Sequence, residues 1–198
     1  MKNNLSAEGA KIYTEVAEID GDTEFIKKTN IEIAEGIREE TVKLRGKAAA
    51  SETTDDELKI KETVAFDKNG IVSLIIDCEE FVGGAHPELK RRTKNLDLEK
   101  ECEISFPDLF CDEEYPTRIS AYIEQEMAEK PNKYADLWKR PLVGEGQEFY
   151  LTETGIVIYY PPYELSYYSR GFVEFEIPYA ELEGYLNTEY ARKVTNKE

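Results

Sequence analysis

With 198 residues, 40% hydrophobic and 11% aromatic, the chain is long and apolar enough to bury a core, which excludes general disorder. Its 42 acidic residues against 25 basic ones leave a formal charge of −17, a field that repels phosphate backbones and anionic membrane surfaces. Nucleic acid is therefore excluded as a partner, while a cationic protein or a neutral polymer stays acceptable.

No run of about 18 apolar residues is present, so no membrane-spanning helix is expected. Met1-Lys2-Asn3-Asn4 leads into no signal-peptide apolar region. In chain order, residues 11–19 read as a strand, closed by Asp20-Gly21-Asp22. A helix follows with Asp22 or Thr23 as its N-cap, because Ile26, Ile33, Ile37 and Leu44 recur at helical spacing; Gly46 offers its stop. Residues 48–56, small and polar, read as a loop. The clearest β signal comes next: Leu58, Ile60, Glu62, Val64 and Phe66 alternate with Lys59, Lys61 and Thr63. Asp67-Lys68-Asn69-Gly70 turns the chain, and residues 71–78 return as a strand whose continuous Leu74-Ile75-Ile76 predicts a central position.

The loop Phe81-Val82-Gly83-Gly84-Ala85-His86-Pro87 follows, built for one backbone shape by its paired glycines and its proline. Residues 90–98 read as a polar strand and 105–110 as a short turn with Pro107 at the first helical position. Residues 115–129 read as a second amphipathic helix with Ile119, Tyr122, Ile123 and Met127 on one face. Residues 131–138 offer a further turn of helix. A hairpin over 148–160 and a strand over 172–177 come next, then a short helix ending near Leu186. The order predicts an α+β fold with mostly antiparallel sheets, two principal helices and a short C-terminal helix. It divides into a small N-terminal α/β lobe (1–56), a main domain (57–187) and a polar tail (188–198).

Three passages together carry a resemblance. The first is Ile75-Ile76-Asp77 with the Gly83-Gly84 loop and Thr93-Lys94-Asn95-Leu96-Asp97. The second is Ile104-Ser105-Phe106-Pro107-Asp108-Leu109-Phe110. The third is Phe149-Tyr150-Leu151-Thr152 with Gly155-Ile156-Val157-Ile158-Tyr159-Tyr160, running into Pro162-Tyr163-Glu164-Leu165 and Gly171. In this order they resemble the PdaC/RsiV-like domain family, bacterial cell-envelope domains of unknown function. Residues 10–46, with Asn30 before Ile31, resemble the domain that usually precedes it.

The resemblance implies an extracytoplasmic or envelope-associated module, since family members include the accessory region of a peptidoglycan deacetylase and the outer part of a lysozyme-sensing anti-sigma factor. The departures narrow this. A deacetylase metal site needs an Asp-His-His set, and this chain has one histidine. Asp55-Asp56 lacks a following glycine and any histidine partner, and no sigma-binding segment or membrane helix is seen. A stand-alone or excised module is expected, any leader or anchor lying outside this sequence.

Several residues bear chemistry. His86 could ligate a metal only with Asp77, Glu79 or Glu80; in a glycine turn a lone histidine more often bonds backbone, so Gly83, Gly84, His86 and Pro87 are read as a structural motif. Cys78 beside His86 could suggest a nucleophile, but strand spacing puts that thiol inside the core. Cys102 and Cys111 could close a small loop or stay free. Neither metal nor cofactor is expected. The better candidate is the aromatic run with Tyr159 and, as predicted partner-binding residues, Tyr160, Pro162, Tyr163, Glu164, Tyr167 and Tyr168, stiffened by Pro161-Pro162. Tyrosines offer large contact area at low entropic cost, although alternate ones also serve to pack a sheet. The function read from this is non-catalytic binding or sensing of a cell-wall glycan or a cationic protein such as lysozyme. The alternative is a glycan hydrolase using paired carboxylates. Oligomeric state is left open.

Overall fold

Strand alternation and turn chemistry organise the chain into two sheets. The computed structural model describes residues 2–7, 10–49 and 55–195, with the backbone path alone over 2–7. Six strands, β1 (Lys2–Ala7), β2 (Ala10–Glu15), β3 (Asp56–Lys68), β4 (Ile71–Phe81), β5 (Glu88–Asp97) and β6 (Cys102–Glu103), lie side by side in sequence order. Three more, β7 (Phe149–Leu151), β8 (Gly155–Tyr160) and β9 (Val173–Pro178), form a second antiparallel sheet with β8 in the middle. The helices are α1 (Glu24–Ala49), α2 (Tyr115–Glu129) and α3 (Thr188–Thr195). The fold is α+β and its sheets are mostly antiparallel; β2 and β3 pair in parallel, which requires the α1 crossover between them.

The chain divides into two units, one of residues 1–63 with 75–92, the other of residues 64–74 with 93–198. In the first, Ala10, Ile12, Leu44, Leu58, Ile60 and Cys78 form the core, with Ile37, Ala48, Ile76 and Val82 packed on it. Thr23 is the N-cap of α1, its Oγ1 accepting the Ile26 N–H at 3.2 Å. The expected stop at Gly46 is overturned: the helix runs on to Ala49. A helical glycine costs about 1 kcal/mol, which the following residues offset. Lys47 pairs with the buried carboxylate of Glu80, and Ala48 packs on the core. The strand expected over 11–19 ends at Glu15, because Ile19 pairs with a side chain instead of a strand. Its N–H donates to Asn30 Oδ1 at 3.0 Å and its carbonyl accepts from Asn30 Nδ2 at 2.9 Å.

Two buried glutamates join α1 to the sheet of this unit. Glu40 accepts from Arg92 at 2.7 Å and Lys43 at 3.2 Å. The Oε2 atoms of Glu40 and Glu80 make no hydrogen bond but lie 3.6 and 3.8 Å from Lys90 Nζ. Burial pushes the Glu40 carboxyl up, yet Lys43, Lys90 and Arg92 outweigh it and hold the group below its ordinary range.

In the second unit, Asn69 and Gly70 both take positive φ, +52° and +74°, the primed turn that an Asn-Gly pair favours between β3 and β4. Phe106, Leu109, Ile119, Ile123, Leu151, Ile158 and Phe175 centre one large core. At the start of β8, a Cβ on Gly155 would sit 2.3 Å from the Ile177 carbonyl oxygen, so only glycine fits there. A buried polar stitch ties this unit's strands together: Ser73 Oγ donates to Asn95 Oδ1 at 2.6 Å and accepts from the Leu151 N–H at 3.0 Å, while Asn95 Nδ2 donates to the Phe149 carbonyl at 3.0 Å. Asn95→Ala leaves two buried groups without partners and is expected to cost about 2 kcal/mol in urea unfolding. A cost no larger than that of Asn132→Ala, at an exposed position, would show that the stitch adds nothing.

The stretch read as a polar tail holds α3 through Thr195; residues 196–198 lie outside the described part. Tyr190 and Val194 enter the core, and Lys193 pairs with the fully buried Asp97 at 2.9 Å and with Glu99 at 2.8 Å. The further helical turn expected over 131–138 is a series of turns instead, shaped by the site described next.

Candidate functional site

β8 ends at Tyr160, where Pro161-Pro162 removes two backbone donors and halts pairing. The chain then turns over residues 161–164, closed by the Glu164 N–H on the Pro161 carbonyl at 3.1 Å. Pro162 holds the first central position, and Tyr163 the second with φ +68°. That is a backbone shape glycine favours. A bulky residue there costs about 1 kcal/mol, and this one is 58% exposed. Strain of this kind persists only where the surrounding structure fixes the backbone.

A second loop is fastened to this one. The backbone N–H of Trp138 donates to the Leu165 carbonyl at 3.0 Å, and its indole Nε1 donates to the Glu164 carbonyl at 3.2 Å. The indole meets Tyr167 edge-on at 5.0 Å, and Tyr163 meets Tyr168 at 5.9 Å. Beneath them Ser166 Oγ donates to Asp136 Oδ2 at 2.9 Å, and Arg170 reaches Asp136 Oδ1 at 2.6 Å and the Lys133 carbonyl at 2.7 Å. The Ser166 hydroxyl and then the Arg170 guanidinium hold the Asp136 carboxyl below its ordinary range, so this fastening stays charged at neutral pH. Tyr134 stacks on Phe175 at 5.1 Å and bonds Glu126 of α2. Burial pushes Glu126 up, but Tyr134, Lys133 and Lys130 outweigh it. Together these contacts present Trp138 (47% exposed) and Tyr167 (63%) on the loops that carry Tyr163, whose conformation is fixed in advance.

The predicted partner-binding residues divide accordingly. Tyr163, Glu164 and Tyr167 are exposed, and Pro162 and Tyr168 are half-buried at their flanks. Tyr160 is a correction: it is 4% exposed, its hydroxyl donating to the Leu142 carbonyl at 3.0 Å, with Gln147 Oε1 an alternative acceptor at 3.2 Å. The reason is its strand. β8 is central and buried at all six positions, so its tyrosines are core. Trp138 and Leu142 were not singled out by sequence reasoning. A signal existed for the first, the one tryptophan of the chain in a segment bounded by Pro131 and Pro141.

The Gly83-Gly84 motif belongs to the first unit. Both glycines take positive φ, and exposed His86 has Nδ1 3.0 Å from the Pro87 carbonyl. Among the described residues no group of three His, Cys, Asp or Glu side chains could hold a metal. Cys78 is buried, and burial, reinforced by the charge of Glu40, pushes its thiol up to about 11, so it keeps its proton at neutral pH. Cys102 and Cys111 are free thiols.

The fold and this face define an α+β domain that displays a pre-formed aromatic surface. Comparison with known proteins places it further. Residues 107–180 match the family model described as "Protein of unknown function (DUF3298)", in keeping with the resemblance of the chain's motifs to the PdaC/RsiV-like domain family. It is 24% identical over 154 residues to the peptidoglycan-N-acetylmuramic acid deacetylase PdaC of Bacillus subtilis, covering 73% of this chain and 32% of that protein. The chain thus spans about a third of that relative's length. Two crystal structures share the fold. A DUF3298-family member from Bacteroides fragilis superposes with a TM-score of 0.68 at 18% identity, over 100% of this chain and 96% of that one. Another from Pseudomonas aeruginosa superposes with a TM-score of 0.61 at 16% identity, over 95% and 93%. No helix among the described residues is long and apolar enough to cross a membrane.

Proposed function

We propose that this chain is a non-catalytic, extracytoplasmic binding module of the bacterial cell envelope, and that Tyr163, Tyr167 and Trp138 form its recognition face for a cell-wall glycan or a cationic protein such as lysozyme. One observation carries the reading: Tyr163 is held in a left-handed conformation with its ring in solvent, next to a tryptophan fastened through both of its N–H groups. The likeness to part of a peptidoglycan deacetylase supports an envelope setting.

Tyr163→Gly separates structure from use. Glycine relieves the backbone, so the variant is expected to be more stable by about 1 kcal/mol in urea unfolding. It is also expected to lose retention on insoluble peptidoglycan and on immobilised hen lysozyme, whichever the wild type binds. A variant that is stabilised yet binds as the wild type does would remove this face from the function.

A further inference from the structure

The two loops that build the aromatic face differ in charge from the chain that carries them. Residues 131–144 and 161–171 contain Lys133, Lys139, Arg140 and Arg170 against only Asp136 and Glu164. These two segments therefore hold four cations and two carboxylates in a chain of −17. Asp136 is engaged by Arg170, and Lys133 is turned to Glu126. Arg140 pairs with Glu124 at 2.8 Å but stays 80% exposed, and Lys139 makes no ion pair among the described residues. A basic protein, drawn to the acidic remainder of the molecule, meets on these loops a single exposed carboxylate, Glu164, against Lys139 and Arg140.

The chemistry of the rings points the same way. Both N–H groups of Trp138 are spent on carbonyls of the neighbouring loop, so the indole can offer a partner its ring and no donor. Tyr167 and Tyr163 add two exposed rings. Rigid rings of this kind suit flat, amphipathic ligands such as pyranose faces, which present C–H groups to the ring and hydroxyls to water. We infer that this face binds the sugar rings of a polysaccharide, neutral or acid-substituted, by stacking on Trp138, Tyr167 and Tyr163, with Lys139 and Arg140 at its rim, and that it is not a docking site for a basic protein. The inference rests on the proposed binding role and names its ligand class.

The full chain is tested by affinity electrophoresis and calorimetry against a chitin hexasaccharide, polygalacturonate and hen lysozyme. Binding to at least one glycan is expected, weakened about tenfold or more by Trp138→Ala and by Tyr167→Ala. The double variant Lys139→Glu with Arg140→Glu is expected to weaken polygalacturonate binding at low salt and leave the hexasaccharide unaffected. Should Trp138→Ala fail to fold, Tyr167→Ala decides alone, since that ring is mostly in solvent. Lysozyme binding abolished by Tyr167→Ala, with no glycan bound, overturns the ligand class and keeps the binding role. Glycan binding indifferent to both aromatic substitutions overturns the face. Binding to none of the three probes overturns the inference and the binding role together.

Discussion

Phe175→Ala is expected to be among the most destabilising single substitutions in the second unit, costing about 4 kcal/mol. Phe175 is fully buried on β9, stacked against Tyr134 and edge-on to Tyr160 at 6.3 Å. Its removal opens a cavity in a core that the one neighbouring strand cannot close, because β8 is already buried at every position. The damage should also reach the aromatic face. Tyr134 belongs to the loop that carries Trp138, and without Phe175 its ring is held by its hydroxyl bond to Glu126. Urea unfolding of the variant should therefore show a lower midpoint, and ligand binding should weaken in the fraction still folded. Phe175→Leu, which restores most of the volume, is expected to cost about 1.5 kcal/mol or less. An alanine variant as stable as the leucine variant would mean that the Tyr134 stack adds nothing.

The second large effect concerns the ion pair that fixes α3. Lys193→Met removes the cation facing Asp97, a carboxylate with no exposed surface, and is expected to cost about 3 kcal/mol at pH 7. Asp97 retains the N–H groups of Glu99 and Lys100, both at 3.1 Å, so the cost falls short of an isolated buried charge. Burial alone would push the Asp97 carboxyl up; Lys193 and those two N–H groups outweigh it and leave the group below its ordinary range. A carboxyl depressed in the folded state stabilises above its unfolded pKa, near pH 4, and that stabilisation is lost as pH falls through the folded value. The variant lacks the main cause of the depression. The stability difference between wild type and Lys193→Met should therefore be largest at neutral pH and shrink towards pH 3. A difference that stays constant from pH 7 to pH 3 would sink this account.

These cases show which features were legible in the sequence. The Asn69-Gly70 hairpin and the bounds of α2 follow from local rules, turn chemistry in the first and an apolar stripe in the second. β4 leading into Gly83-Gly84 follows from its continuous apolar run. α3 does not follow from any such rule. Tyr190 and Val194 are its buried apolar residues, and what holds it is Lys193 reaching an aspartate 96 residues away. The continuation of α1 past Gly46 is likewise tertiary, because it depends on the buried Glu80.

The aromatic run was legible as a run and not as a surface. Tyr159 and Tyr160 on one side of Pro161-Pro162 are core, while Tyr163 and Tyr167 on the other are exposed. Composition alone cannot divide them. The two prolines do, by ending the strand. Net charge divides in a comparable way: a total of −17 favours a basic partner, whereas the loops bearing the exposed rings carry more cations than carboxylates.

Asn30 has a consequence for how the first unit opens. By donating to and accepting from the same residue, Ile19, its amide stands in for one rung of a β-ladder. The connection between β2 and α1 is thereby anchored to the helix and not to the strand that precedes it. Solvent exchange of the Ile19 amide then requires the Asn30 rung to break, so its protection should track the local stability of the first turns of α1 even when β2 stays paired. In the language of foldons, residues 16–22 belong with the helix that follows them.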